Sequence, residues 1–335
     1  MASLSFLLGM VPSTDKVESA DDQLRADYQA FKDYENSEEL KHFQELEKEI
    51  KSHEFILRKK KIKKAEYKDS DEFHKITEYE LLKKSEKIVW YYKTKKKYPF
   101  KEIEKWDITF DEKFNTSKLD DSKWKTRYYW GDKGMNSPFA MEDDKSFPTD
   151  GDNIEFYDNK ARIVTKAGNV EGLAWRGNQG FVLEDFSYTS GLISSAESFR
   201  QKYGIFTAKV KMAAGSVAQA FWMVSDGMLP HIDVARFENG KIYSNYFWGK
   251  AGSNHKSLSK ANGTKYADTY FIYTLEWSPN KLVWKINGKV FKTQTSGVPQ
   301  EEMYINFSSN LKQDGSESGL PSAMEIDWVR VYKLK

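Results

Sequence analysis

The sequence predicts a mainly β protein, a two-sheet sandwich preceded by a small α-helical repeat domain. Three observations predict it. From Trp106 onward, short runs rich in Val, Ile, Phe, Tyr and Trp alternate with turns of Gly, Asn, Asp and Ser. Aromatic residues make up 15% of the 335 residues, a level that suits pleated, half-buried surfaces. Before Trp106, apolar residues recur instead at helical spacing, in two related copies. In order, the chain reads as an N-terminal docking arm over residues 1–35, a two-copy helical module over 36–105 and a β domain over 106–335.

The arm, MASLSFLLGMVPSTD, carries the apolar run Leu4–Val11. No basic residue precedes the run and no small-x-small cleavage pattern follows it, so it reads as a sticky segment for a partner surface rather than a secretory signal. Synthesis in the cytoplasm is expected, with later incorporation into a particle or non-classical export. Nothing else approaches the ~20 apolar residues of a membrane span. The absence of cysteine excludes disulfide frameworks and thiolate metal sites, and the five histidines show no metal-ligand spacing. A net charge of +2 provides no strong field for nucleic acid. Dinucleotide and P-loop glycine patterns are absent, and no cofactor is expected.

The helical module hides a charge asymmetry. Residues 1–50 hold five Lys/Arg against twelve Asp/Glu, whereas residues 51–105 hold eighteen against ten. NSEELKHFQELEKEIKSHEF begins at Asn36, and DSDEFHKITEYELLKKSEKI begins thirty-three residues on, at Asp69. Each copy opens with Asn or Asp and has Glu three residues later, a helix N-terminus with Asn36 and Asp69 as caps. Ser52 and Ser85 mark the starts of second helices. The core of two such copies is thin, so the module is expected to lean on another domain, another protein or a second copy of the chain. The basic runs Arg58–Lys64 and Lys93–Lys97 read as solvated helix faces rather than phosphate contacts.

In the β domain, YGIFTAKVKM (Tyr203–Met212), YTLEWS (Tyr273–Ser278), KLVWKI (Lys281–Ile286), EMYINFS (Glu302–Ser308) and MEIDWVRVYK (Met324–Lys333) read as strands. Pro279-Asn280 makes a tight turn, and Asn287-Gly288 is a hairpin signal. Many strands with little helix indicate a sandwich. These segments, in this order, resemble glycoside hydrolase family 16, the laminarinase, agarase and carrageenase group. FDEKFNTSKLDDSKW (Phe110–Trp124) is similar to the family's opening, YTSGLISS and YGIFTAKVK to its central strands, and YTLEWSPNKLVWKINGKV and MEIDWVRVY to its closing strands. The resemblance spans most of Trp106–Lys335. It implies a concanavalin A-like jelly roll with a sugar cleft across one face. Members of the family can also hold a structural calcium ion, but no acidic cluster in this sequence places one.

The same resemblance makes LPHIDVARFENG, Leu229–Gly240, the active-site strand, with AFWMV (Ala220–Val224) before it. That strand in the family reads Glu, apolar, Asp, apolar, any residue, Glu. One carboxylate attacks the anomeric carbon and the other exchanges the proton, the pair standing about 5–5.5 Å apart. Here His231 stands at the nucleophile position, Asp233 is kept and Arg236 stands at the acid/base position. Strict alternation would turn Arg236 into the core, where an unpaired guanidinium is implausible. A one-residue bulge after Val234 instead sends His231, Asp233, Arg236 and Glu238 to the cleft, and Ile232, Val234 and Phe237 to the core.

Arginine stays protonated near neutrality, and imidazole would leave a cationic adduct, so no catalytic residue is expected. Glu238 is the one candidate for rescue. The family's Trp-Pro before Ala-Phe-Trp is replaced by Ala218-Gln219, which removes a stacking platform. Candidates for sugar contact are therefore Trp175, Arg176, Trp222, His231, Asp233, Arg236, Glu238 and Trp248. Arg and His in the cleft suggest an anionic sugar. Three functions compete. The first is a non-catalytic, lectin-like pseudoenzyme that binds polysaccharide. The second is a structural component of a larger phage or injection-type particle, self-associating or binding protein through residues 1–105. The third is a weakly active glycosidase on β-glucan or galactan.

Overall fold

The computed structural model describes residues 11–129, 137–250 and 253–335. Most of the apolar run at the N-terminus lies outside them. The chain forms two compact units: Glu18–Trp106, and Asp107–Lys335 together with the segment that ends at Val17. No helix among the described residues is long and apolar enough to cross a membrane.

The first unit is helical: α1 (Thr14–Glu35), α2 (Glu38–Ile50), α3 (His53–Lys61), α4 (Asp71–Leu82), α5 (Glu86–Lys97) and the short α6 (Lys101–Glu104). Four serines start the middle four helices. The Oγ atoms of Ser37, Ser52, Ser70 and Ser85 accept from the amides of Leu40, Phe55, Phe73 and Ile88. The caps expected at Asn36 and Asp69 thus fall one residue later. Ser37 and Ser70 have the extended backbone that aims a short side chain at the amide three residues on. Ser70→Ala is expected to lower the stability of this unit by about 1 kcal/mol, read from urea unfolding followed by far-UV circular dichroism.

Residues 14–35 were placed in the arm by sequence and form a 22-residue helix instead. The physical reason is the thin core of the other helices. From α1, Phe31 and Tyr34 enter the cluster made by Leu40, Phe43, Leu46, Tyr79, Ile88, Tyr91 and Phe100. Phe31 stacks on Tyr91 with centroids 5.0 Å apart, and Phe43 stacks on Tyr79 at 5.2 Å. Of the first basic run, Arg58 is paired with Glu72 at 3.1 Å and Glu49 at 3.5 Å.

The second unit is mainly β, with short 3-10 turns at Gly177–Gln179 and Thr264–Tyr266. Its strands in chain order begin with β1 (Trp106–Glu112), β2 (Phe139–Ala140), β3 (Phe147–Pro148), β4 (Ile154–Tyr157), β5 (Lys160–Arg176) and β6 (Gly180–Ser194). They continue with β7 (Gly204–Lys211), β8 (Ala218–Val224), β9 (His231–Glu238), β10 (Lys241–Tyr243), β11 (Tyr246–Lys250) and β12 (Ser253–Ser257). The last are β13 (Lys260–Asn262), β14 (Tyr270–Ser278), β15 (Lys281–Ile286), β16 (Lys289–Gln294), β17 (Tyr304–Asn310) and β18 (Ser322–Leu334).

One antiparallel sheet runs β16-β15-β14-β7-β18-β5-β4. The other runs β6-β17-β8-β9, after which β10 and β11 pair with successive parts of β9 and carry β13 and β12 on their outer edges. The long β5–β6 hairpin joins both sheets and adds β2 and β3 as parallel neighbours. Alternation places Phe206, Ala208 and Val210 of β7 and Leu275, Trp277 and Trp284 of β14–β15 against Phe221, Met223, Ile232 and Phe237 of β8–β9. Asn287 and Gly288 both have positive φ, 46° and 76°, as the hairpin signal requires. The Asn287 amide also donates to Pro12 O and Thr14 Oγ1, each at 2.9 Å, and Val11 packs on the sandwich core.

Candidate functional site

The site is built on β9, whose two faces meet different surroundings. In its pairing with β8, Ala235 lies opposite Phe221 and Asp233 opposite Trp222, leaving Val234 over. This is the bulge that the charge pattern required. It turns Ile232, Val234, Ala235 and Phe237 into the core between the sheets. His231, Asp233, Arg236 and Glu238 then emerge together on the opposite face, along an open cleft.

Asp233 is buried, with only 3% of its surface exposed. Oδ1 meets His231 Nε2 at 3.1 Å, and Oδ2 accepts from Asn245 Nδ2 at 3.0 Å. Its backbone is held as well: its amide donates to Asn245 O, and its carbonyl accepts from Trp284 Nε1 at 2.9 Å. Burial alone would raise its pKa. His231, the charge of Arg236 and the Asn245 amide outweigh burial and hold the carboxyl below the ordinary range. Arg236 grips Glu238 Oε2 through Nε (3.2 Å) and a terminal nitrogen (2.8 Å). Burial works against that guanidinium too, but Asp233 and Glu238 keep it more firmly protonated than usual. A second cation faces the cleft from the far side. Lys312 Nζ lies 2.7 Å from buried Asp144 and 3.1 Å from Asp143, whose charges overcome the cost of burying it.

The cleft has two adjoining hollows. The smaller, about 170 Å³, is floored by Trp222 and closed by Tyr128, Met141, Asn310 and Lys312. The larger, about 710 Å³, opens over Tyr243, Asn245, Phe247 and the edge of β12. His231, Asp233 and Arg236 line both. Trp222 is a cleft residue: its ring stacks under His231 at 5.0 Å, and its Nε1 donates to Ser308 Oγ at 3.1 Å. Phe247 meets the same imidazole edge-on at 5.8 Å.

The structure therefore brings together five of the eight sequence candidates and sets three apart. Trp248 faces away from the cleft and stacks on Tyr246 at 4.6 Å. Its neighbour Phe247, which lies directly opposite His231, takes the position expected of it. Arg176 is held in a fork by Glu184 (2.9 and 2.6 Å) and by the carbonyls of Met141 and Glu142, and lines neither hollow. Trp175, one residue before the end of β5, packs against Phe181 at 5.1 Å, also outside both hollows. Ala218 does line the cleft, while Gln219 turns inward to the Ala213 amide and Ser322. Arg236 and Lys312, the two cations of the smaller hollow, are each paired with carboxylates, Arg236 with Glu238 and Lys312 with Asp143 and Asp144. Asn245, Asn310 and Lys312 carried no sequence signal, since what makes them part of the site is contact across strands.

Among the described residues, no group of three or more His, Asp or Glu side chains is arranged to hold a metal ion.

Fold and site together define a jelly-roll β-sandwich of the glycosidase type, with an open cleft across one sheet. The chain belongs to glycosyl hydrolases family 16, whose model matches residues 141–330. It is 23% identical over 263 residues to glucan endo-1,3-beta-glucosidase A1 of Niallia circulans, covering 68% of this chain and 38% of that protein. It is 34% identical over 152 residues to a beta-glucanase of Fibrobacter succinogenes, covering 39% of this chain and 44% of that protein. The chain thus spans less than half the length of either. Among solved structures, its fold is similar to that of the kappa-carrageenase from Pseudoalteromonas carrageenovora, with a TM-score of 0.55 and 19% identity over 68% of this chain and 94% of that one.

Proposed function

We propose that the chain binds a polysaccharide in this cleft without cleaving it. Support comes chiefly from the charge partners on β9. Where a retaining glycosidase needs two carboxylates about 5–5.5 Å apart, the cleft presents His231 and Arg236, each already engaged by the acidic residue two positions on. The carboxylates that stay on β9 are not available as a substitute pair, and Asp143, which lines the smaller hollow, is engaged by Lys312. Asp233 is clamped on both oxygens, and Glu238 is the anchor of Arg236. What the cleft offers a sugar is a set of oriented polar groups beside the Phe247 ring, with Trp222 buried beneath the His231 imidazole, which suits hydroxyl-rich rings. With its inner cations matched, a neutral chain is favoured over a sulfated one.

Affinity electrophoresis in gels containing laminarin, agarose or carrageenan tests this. Retardation by a neutral glycan, weakened at least tenfold in affinity by Phe247→Ala and unchanged by Trp248→Phe, is the expected result. Migration that no glycan alters would refute binding.

A further inference from the structure

We infer that Lys292, outside the cleft, is a positioning residue for it, a strut that ties the β16 edge of one sheet to the wall of the cleft on the other. The inference rests on the cleft's being the binding site. Lys292 lies opposite Trp284 across the β15–β16 pair, so both side chains leave the sheet on the same face. Its ammonium sits over the Trp284 ring, 4.6 Å from the centroid, and donates to Ser244 O at 2.8 Å and Ser257 O at 2.7 Å.

Those two carbonyls belong to the backbone that forms the wall of the larger hollow. Ser244 precedes Asn245, which clamps both the carboxylate and the amide of Asp233. Ser244 also donates through its hydroxyl to Val234 O at 3.2 Å, inside the bulge. Ser257 closes β12 opposite Tyr246. The Trp284 ring that carries the ammonium donates to Asp233 O. Lys292 and Trp284 thus fix the Asp233 backbone and its partner Asn245 from behind, leaving the cleft face free.

A lysine in this place carries a cost that an apolar residue would not. No carboxylate lies within ion-pair distance of it among the described residues. Burial lowers its pKa to about 8, opposed by the charge of Asp233. The other ionisable groups on the surrounding strands have other partners or line the cleft. His231, Arg236, Glu238, Tyr243 and Lys256 line the cleft, His255 on β12 stacks on Trp248 at 5.5 Å, Tyr246 donates to Gly297 O, and Lys285 pairs with Glu276. The sign of the pH effect follows. If the wall opens, the amine returns to water and to its ordinary pKa near 10.4. Protonation therefore favours the open wall, and raising the pH from 8 to 10 favours the closed one.

The test is hydrogen exchange of the Asp233 and Ser244 amides in the full chain, expressed as protection over the unstructured rate. Glycan affinity is measured in parallel. In the native protein, protection at these amides is expected to rise several-fold between pH 8 and 10. Lys292→Met is expected to lower that protection about tenfold, abolish its pH dependence and leave the β7–β14 amides as they were. Lys292→Arg, which keeps the donors, should restore protection without the pH step. Unchanged wall protection in Lys292→Met, or a uniform loss across both sheets, would overturn the strut. If no glycan binds to any form, the binding proposal fails, while the exchange data still decide the role of Lys292.

Discussion

Asp233→Ala is expected to destabilise the sandwich by about 3–5 kcal/mol, the range for removing one partner from a buried charge network. The carboxylate is buried and hydrogen-bonded on both oxygens. Its loss would strand the Asn245 amide and leave Arg236 with Glu238 alone. The cost of that stranding exceeds the worth of any single hydrogen bond in the group. Asp233→Asn should cost less, because its shape and one acceptor survive. The folded pKa of Asp233 lies below its ordinary value. Its contribution is therefore complete above the unfolded pKa of about 3.9 and is lost as the pH falls through the lower, folded value. The difference between native protein and variant should be level from pH 5 to 8 and shrink below pH 4. Urea unfolding at a series of pH values measures it. A difference under about 1 kcal/mol at pH 7 would mean that the network is looser than its geometry.

The second large effect concerns turnover. General acid–base catalysis by one positioned group is worth about 10²–10⁴-fold, and the nucleophile's share comes in addition. A cleft with His231 and Arg236 in those two places is expected to release reducing ends from laminarin or lichenan at least about 10⁴-fold more slowly than a working carboxylate pair, below the blank of an ordinary assay. Arg236 cannot take or give the proton near neutrality. Glu238 is already engaged by that guanidinium through one carboxylate oxygen. Reducing-sugar release that disappears in Glu238→Gln or Asp233→Asn would show that the chemistry has moved to these residues, and the non-catalytic proposal would fall.

Much of the site was legible because β-strands obey a strict period of two. That period, together with the cost of burying a bare guanidinium, placed a bulge directly after Val234, one residue from where the pairing with β8 puts it, and gave the common facing of His231, Asp233, Arg236 and Glu238. The same rule, carried one strand further, separates Phe247 from Trp248. Nothing in NYFWG announces its register against β9, which is set only when the two strands pair. Arg176 illustrates a different limit. It was a candidate for sugar contact, but Glu184 on the paired strand and two backbone carbonyls already engage its donors.

By itself, the sequence determined the β class, the helices that start at Ser52 and Ser85, the Asn287-Gly288 turn and the identities of the residues on the active strand. All of these depend on local periodicity, local backbone preference or motif order along the chain. Only the tertiary structure decided that α1 completes the helical core, that the cleft's inner cations are matched by Asp143, Asp144, Asp233 and Glu238, and that a lysine on the opposite sheet stands behind Asp233. Charge compensation and packing depend on distance in space, and residues such as Lys292 and Ser244 become neighbours only once the two sheets close on each other.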